Sequence, residues 1–154
     1  MSGRVHHYQA ACSWTGTTAV GYEAYVRNHE GTAAPAQARL ELSGDAAFRG
    51  DPSRLNPEQL VVLAASSCQL LSFLAVAARA RIDVRSYQDA AEAVMSEEVT
   101  PARFVSITLR PKIALAKGPT EERVRHLVHV AHKECYVAAS LNFEVAVEPE
   151  LSFL

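Results

Sequence analysis

The sequence has little net charge of either sign. It contains 15 lysine and arginine residues against 17 aspartate and glutamate residues, a formal net charge of −2. Proteins that bind nucleic acids or anionic membranes usually carry an excess of basic residues, so this balance argues against both kinds of partner. The first ten residues also lack the apolar stretch of a signal peptide. We therefore expect a protein of the cytoplasm that binds neither nucleic acid nor membrane.

Cysteine is scarce, and its count is odd. Cys12, Cys68 and Cys135 are the three cysteines, and none of them belongs to a CxxC pair. An odd count without a signal peptide argues against a disulfide framework and for a reducing compartment. Each thiol could simply be packed in the core as a small apolar group. A zinc site made of Cys68, His132 and Cys135 is a further alternative, but ligand spacing does not support it, and we expect neither metal nor cofactor.

The longest stretch without charge predicts a helix over residues 56–80. No charged residue lies between Glu58 and Arg79, and apolar residues occur on every face. This pattern is typical of a helix that is buried on all sides. Asn56 predicts the N-cap, and Gln59 three positions later completes a capping box. The run approaches the length of a membrane span, although its serine and glutamine residues argue against that interpretation.

The remaining residues predict strands on both sides of this helix and a second helix. Alternating apolar residues before the helix predict an antiparallel meander of three strands, over residues 5–13, 20–27 and 38–43. The strand candidates after it cover residues 84–95 (with a helix as the close alternative), 104–116 and 141–147. Thr120 predicts the cap of a second helix that ends near Cys135. The order β-β-β-α-β-β-α-β predicts a single α+β domain over residues 1–154.

Several segments carry motifs that occur together in one known family. The helix opens with Asn-Pro-Glu and places Cys68 ten positions after Glu58 (68 − 58 = 10). The later segment AHKECYVAASLNFEV has a cysteine before small residues and an Asn-Phe strand. With YVRNH and AFRGDPSRLNPE, these motifs resemble the OsmC/Ohr family of cysteine-based hydroperoxide reductases, in its OsmC-like branch. The resemblance implies an OsmC-like fold with a long buried central helix and an intertwined homodimer.

The resemblance also implies a thiol peroxidase. Cys68 would be the peroxidatic cysteine, and Cys135 would resolve its sulfenic acid to an intramolecular disulfide. Glu58 would hold an arginine beside the reactive thiol, either Arg27, which we favour, or Arg49. The expected substrates are organic hydroperoxides, with hydrogen peroxide reduced less well. The expected reductant is a dithiol of the lipoyl type or of the thioredoxin type.

Two residues depart from the family pattern. Gln69 follows the first cysteine where phenylalanine or histidine is usual, and Tyr136 follows the second where phenylalanine is common. We expect both side chains at the wall of the site, where they would affect substrate choice. The alternative function is a stress-associated small-molecule-binding protein of the same fold without peroxidase activity.

Helix geometry predicts that the site is shared between two subunits. Burial raises the pKa of a thiol, so a cation is needed beside the sulfur. Ten residues of helix span about 15 Å, which is too far for Glu58 to reach Cys68 of its own chain. We therefore expect Glu58 and its arginine to complete the site of a second subunit, at the interface of a homodimer.

Overall fold

The computed structural model describes residues 3–154, which form two compact units. The first unit ends at Leu60, and the second spans Val61–Leu154. The predicted single domain over residues 1–154 stays a prediction, and its first two residues lie outside the described part. The helices are α1 (Pro57–Arg79), α2 (Glu121–Lys133) and α3 (Tyr136–Ser140). Nine strands lie before, between and after them in the described residues, which confirms the α+β class.

The first unit contains an antiparallel sheet in the order β1 (Ala11–Ser13), β2 (His29–Thr32) and β3 (Arg39–Leu42). The predicted meander is confirmed, but its first strand is shorter and its second lies elsewhere. Residues 20–27 form turns instead of a strand, because Gly21 adopts a φ of 89° and its carbonyl accepts hydrogen bonds from two later N–H groups. The segment that forms β2 contains a glycine, a poor strand former, and its pattern therefore predicts a turn.

α1 begins as predicted, with a capping box. The Asn56 side-chain oxygen accepts a hydrogen bond from the Gln59 N–H (2.8 Å), and Gln59 Oε1 accepts one from the Asn56 N–H (3.1 Å). At the other end, Arg81 adopts a left-handed φ of 58°, and the Ile82 N–H bonds to the Ala77 carbonyl (2.9 Å). These bonds satisfy backbone groups that a helix end leaves without partners.

Within the chain, α1 is buried along one face only, which corrects the expectation of burial on all sides. The buried side chains are Ala65, Gln69, Phe73, Val76 and Ala77. Another face leaves Leu63 58% and Leu71 64% exposed. By length and composition α1 could cross a membrane, as could the core helices of many soluble proteins. α1 therefore carries more apolar surface than the rest of the second unit covers.

The second unit contains two three-stranded sheets of the same design. One has the order β4 (Val84–Asp89), β7 (Pro111–Leu115), β9 (Glu150–Phe153), and the other β5 (Glu92–Ser96), β6 (Arg103–Leu109), β8 (Glu144–Val147). In each sheet the central strand pairs antiparallel with the earlier strand and parallel with the later one. The sequence predicts neither β9 nor this division into two sheets.

Each of two predicted strands is in fact a pair of strands that belong to different sheets. The strand expected over residues 104–116 breaks at Arg110, and the one over residues 84–95 breaks after Asp89. The Arg110 N–H donates to Asp89 Oδ1 (2.7 Å), and its guanidinium pairs with Glu92 (2.7 Å). These contacts hold the two strand breaks next to each other. The alternation of apolar residues in the sequence reveals neither break.

α1 contributes to both apolar clusters of the second unit. Phe73 packs with Ile113, Leu115 and α2 residues such as Val128, while Ala65 packs with Ile107 and its neighbours. Cys68 lies between these two anchored turns. α2 starts at its predicted cap, where Thr120 Oγ1 accepts a hydrogen bond from the Arg123 N–H (3.3 Å). The packing of α2 therefore brings its C-terminal end, and Cys135 after it, to the middle of α1.

Candidate functional site

Cys68 and Cys135 meet within the second unit. Cys68 lies midway along α1 and is partly buried, whereas Cys135 lies between α2 and α3 and is 1% exposed. Both thiols are free, and they lie close enough for each to shift the pKa of the other. The fold thus brings together the two cysteines that the sequence motifs single out. The third cysteine, Cys12, is free and exposed in β1, so it is not packed in the core.

The pKa of the Cys68 thiol lies below its ordinary value. Burial raises this pKa, but hydrogen bonds from the Val137 backbone, the Cys135 thiol, the Tyr136 backbone and the Ser72 side chain together outweigh it. Donors of this kind stabilise a thiolate without a neighbouring cation. Sequence reasoning missed them. Only Ser72, one helical turn after Cys68, had a spacing that could have revealed it.

Cys135 is shifted in the opposite direction. Burial is the largest cause that raises its pKa to about 11, and the hydrogen bond and charge of Cys68 add to the effect. Near neutral pH Cys135 therefore keeps its proton, while Cys68 is the thiol that more readily loses one. The pair combines a nucleophilic sulfur with a second sulfur that can supply a proton and then form a disulfide.

A cavity of about 470 Å³ opens beside Cys68. Its walls include apolar side chains of α1, such as Leu71 and Ala75, and the side chain of Tyr136. Arg79 and Glu134 also line it, and they form an ion pair at 2.7 Å. The predicted place of Tyr136 at the wall is therefore correct. A small apolar molecule could lie in this cavity next to the sulfur.

Gln69 does not lie at the wall of the site, which corrects the sequence-based expectation. Its side chain is completely buried, its Nε2 donates to the Val128 carbonyl (3.4 Å), and its Oε1 lies 3.3 Å from His132 Nδ1. Burial lowers the pKa of His132; the Val145 backbone opposes this shift, and the charge of His129 adds to it. The imidazole is thus neutral near pH 7.

Cys68, His132 and Cys135 do not form the alternative zinc site in this structure. Among residues 3–154, no three His, Cys, Asp or Glu side chains converge closely enough to hold a metal ion. His132 Nδ1 is directed to Gln69 instead.

Arg27, Arg49 and Glu58 belong to the first unit, and the chain does not pair them as expected. The Arg27 guanidinium donates to the backbone carbonyls of Tyr25 and Tyr22 (2.7 Å each), and it stacks 4.0 Å above the Tyr25 ring. Arg49 forms an ion pair with Glu23. Glu58 has no ion pair with either arginine within the described residues. The roles of these three residues stay predictions.

Known proteins resemble the chain in both sequence and structure. The family model described as OsmC-like protein matches residues 50–150. The structure resembles an OsmC-like protein of unknown function from Vibrio cholerae, with a TM-score of 0.86 and 25% identity over 95% of this chain and 100% of that one. Organic hydroperoxide resistance proteins from Legionella pneumophila and Elizabethkingia anophelis give TM-scores of 0.71 and 0.72 at 18% and 19% identity, over 97% of this chain and 99% of theirs. No curated protein sequence matches the chain.

Proposed function

Because the chain belongs to the OsmC-like protein family, we propose that it is a thiol-dependent peroxidase that reduces organic hydroperoxides through Cys68 and Cys135. The observation that carries this proposal is the contact between the two thiols, in which the Cys68 pKa is lowered and the Cys135 pKa is raised. The apolar cavity beside Cys68 supports it, because it offers space for a substrate at the reactive sulfur.

In the first step, the Cys68 thiolate attacks the distal oxygen of the hydroperoxide. The new S–O bond forms as the O–O bond breaks, so the sulfur is oxidised by two electrons and the peroxide is reduced by two. The product is a sulfenic acid on Cys68, and the alkoxide that leaves takes up a proton to become an alcohol. The backbone N–H groups of Tyr136 and Val137 stabilise the attacking thiolate.

In the second step, the sulfur of Cys135 attacks the sulfur of the sulfenic acid. An S–S bond replaces the S–O bond, and the hydroxyl group leaves with the proton of Cys135 as water. An external dithiol, of the lipoyl or thioredoxin type, then reduces the disulfide and is itself oxidised. Such reductants act in a reducing compartment, so we place the protein in the cytoplasm.

The cavity favours organic hydroperoxides over hydrogen peroxide. Burial of an apolar substituent against its apolar walls makes binding more favourable, and hydrogen peroxide carries no such substituent. Apolar burial contributes about 25 cal/mol per Å², so a substituent of modest size changes binding by a few kcal/mol. The preference then depends on the walls of the cavity and not on the thiols.

The proposal extends to a homodimer in which Glu58 and either Arg27 or Arg49 of one subunit complete the site of the other. The exposed apolar face of α1, with Leu63, Leu71 and Leu74, supports this assembly because a second copy would cover it. An arginine beside Cys68 would add a cation to the donors that the second unit already provides.

Thiol titration under denaturing conditions tests the proposal. Before and after one equivalent of cumene hydroperoxide, wild-type protein should fall from three free thiols to one. Cys68→Ser should keep both of its thiols, and Cys135→Ser should lose one and carry a sulfenic acid on Cys68. The variant Cys12→Ser is the control and should still lose two thiols. If all three wild-type thiols survive, the protein is no peroxidase, and the small-molecule-binding alternative takes its place.

A further inference from the structure

A contact between the fully buried side chain of Gln69 and the partly buried His132 connects α1 with the end of α2, just before Cys135. Gln69 immediately follows Cys68 on α1, and His132 lies in the last turn of α2, three positions before Cys135. The Cys135 N–H also bonds to the His132 carbonyl (3.2 Å). A shift of His132 is therefore passed directly to the backbone of Cys135.

The position of Gln69 is unusual for its chemistry. A buried amide is unfavourable unless its polar atoms find hydrogen-bond partners, and α1 is otherwise apolar along this face. Both ends of the Gln69 amide are directed to α2: the nitrogen bonds to the Val128 carbonyl, and the oxygen faces His132. These contacts fix α2 against α1 at the level of the thiols, which nonspecific apolar packing would leave less defined.

We propose that Gln69 is a positioning residue that acts through His132 to hold Cys135 where it can attack the sulfenic acid of Cys68. The inference rests on the proposed peroxidase function, and it concerns chiefly the second step. The attack of Cys68 on peroxide also uses donors of the Cys135 segment, but Ser72 of α1 is independent of that segment, so the first step should be affected less. Disulfide formation, in contrast, requires two sulfurs in a defined relative orientation.

Single-turnover kinetics on a double-mutant cycle tests the proposal. Wild type, Gln69→Met, His132→Phe and the double variant are mixed with cumene hydroperoxide and quenched at intervals. Peroxide consumption, sulfenic acid trapped by dimedone and disulfide are then measured. Methionine keeps the length of glutamine, so the variant tests the polar contact more than the packing. We expect disulfide formation to fall about tenfold or more in each variant, with a clearly smaller loss in peroxide consumption, so that sulfenic acid accumulates.

The resolution rate of the double variant shows whether Gln69 acts through His132 or whether the two residues act independently. If Gln69 acts through His132, the double variant should resolve no more slowly than either single variant. Gln69→Glu keeps the length and an acceptor for His132 but loses the N–H group that bonds to the Val128 carbonyl, so it should restore only part of the rate that Gln69→Met loses. Multiplied losses in the double variant, or unchanged disulfide formation in Gln69→Met, would overturn the proposal.

Matched controls and a peroxide-free reaction complete the experiment. Gln88→Met changes an exposed glutamine of β4, and His126→Phe changes an exposed histidine of α2; both should resolve like wild type. Thermal unfolding of each protein identifies any variant that has lost its fold. If Gln69→Met does not fold, His132→Phe alone still tests the contact. Diamide forms the same disulfide without peroxide, and we expect the same pattern of losses. A wild type that leaves peroxide intact refutes the peroxidase, while the diamide series still decides the role of Gln69.

Discussion

The thiols of Cys135 and Cys68 lie close together, and their pKa values are shifted in opposite directions. The donors around Cys68 outweigh its burial and lower its pKa, whereas burial and the neighbouring sulfur raise the pKa of Cys135 to about 11. Of two chemically identical side chains, Cys68 therefore loses its proton more readily, and Cys135 keeps its proton near neutral pH. Two-step thiol chemistry requires this difference, because the first sulfur must be a nucleophile while the second keeps a proton to release.

The pH dependence of alkylation should show this difference directly. The Cys68 pKa is lowered, so its reaction with iodoacetamide should reach its plateau at lower pH than an unperturbed thiol of pKa about 8.5. The Cys135 pKa is raised, so it should stay unreactive until the pH approaches about 11. Peptide mass spectrometry separates the two rates. Cys135→Ala removes one donor and should move the Cys68 profile to higher pH; an unchanged profile would contradict the effect of Cys135 on this pKa.

Ser72→Ala should slow the reaction of Cys68 with hydroperoxide. The variant removes a side-chain donor that lowers the Cys68 pKa, so less thiolate is present at neutral pH. If the lost hydrogen bond contributes about 1 kcal/mol, the second-order rate constant should fall about fivefold. Stopped-flow measurement of peroxide consumption checks this. Ser67→Ala is the matched control, since Ser67 also lines the cavity but is not among those donors; an equal loss in both would point to the shape of the cavity.

Tyr87→Phe should stabilise the protein. The Tyr87 hydroxyl is buried without a hydrogen-bond partner among the described residues, and its ring packs against Phe73. Burial raises the pKa of this phenol, with smaller contributions from the charges of Asp89 and Cys135. Removing an unsatisfied hydroxyl should raise the free energy of unfolding by about 1 kcal/mol in urea titrations at fixed protein concentration.

Tyr136→Phe serves as the control for this prediction. Its side chain is 84% exposed, so its hydroxyl is solvated in both the folded and the unfolded protein. Its loss should therefore leave the free energy of unfolding unchanged. A loss of stability in Tyr87→Phe would instead show that a bound water or another group satisfies the hydroxyl.

Leu71→Asp should dissociate the proposed homodimer. Leu71 lies on the exposed apolar face of α1, and a carboxylate there would be buried without a partner when a second copy covers it. Sedimentation velocity should show a dimer for wild type and a monomer for the variant at the same concentration. Val99→Asp changes an exposed valine outside α1 and should remain dimeric. A wild-type monomer would contradict the homodimer, and association with lipid vesicles would assign the face to a membrane.

Local signals in the sequence identify the helices well. The capping box at Asn56 and Gln59 and the cap at Thr120 predict both long helices nearly to the residue, because these signals depend on neighbours a few positions apart. The strands are less accessible. Where the second unit divides into two sheets, Arg110 contacts Asp89 and Glu92, which are distant from it in sequence. No periodicity within one strand records them.

The site shows the same limit. The motifs around Cys68 and Cys135 predict the pair, and the structure brings the two thiols into contact. The sequence assigned stabilisation of the thiolate to an arginine, whereas two of the four donors in the second unit are backbone N–H groups, which almost every residue carries. Gln69 was expected at the wall for a similar reason, since residue type does not reveal the direction of a side chain on a helix that is apolar all round.

The first turn of α3 contributes two of the groups that lower the pKa of Cys68. The N–H groups of Tyr136 and Val137 bond to the sulfur of Cys68, and the first N–H groups of a helix have no carbonyl partner within it. A thiolate accepts such bonds strongly, and the uncharged sulfur of a disulfide accepts them weakly. Amide hydrogen exchange at these two positions should therefore quicken when the protein is oxidised and slow again when it is reduced. The backbone of α3 thus reports the oxidation state of a residue on another helix.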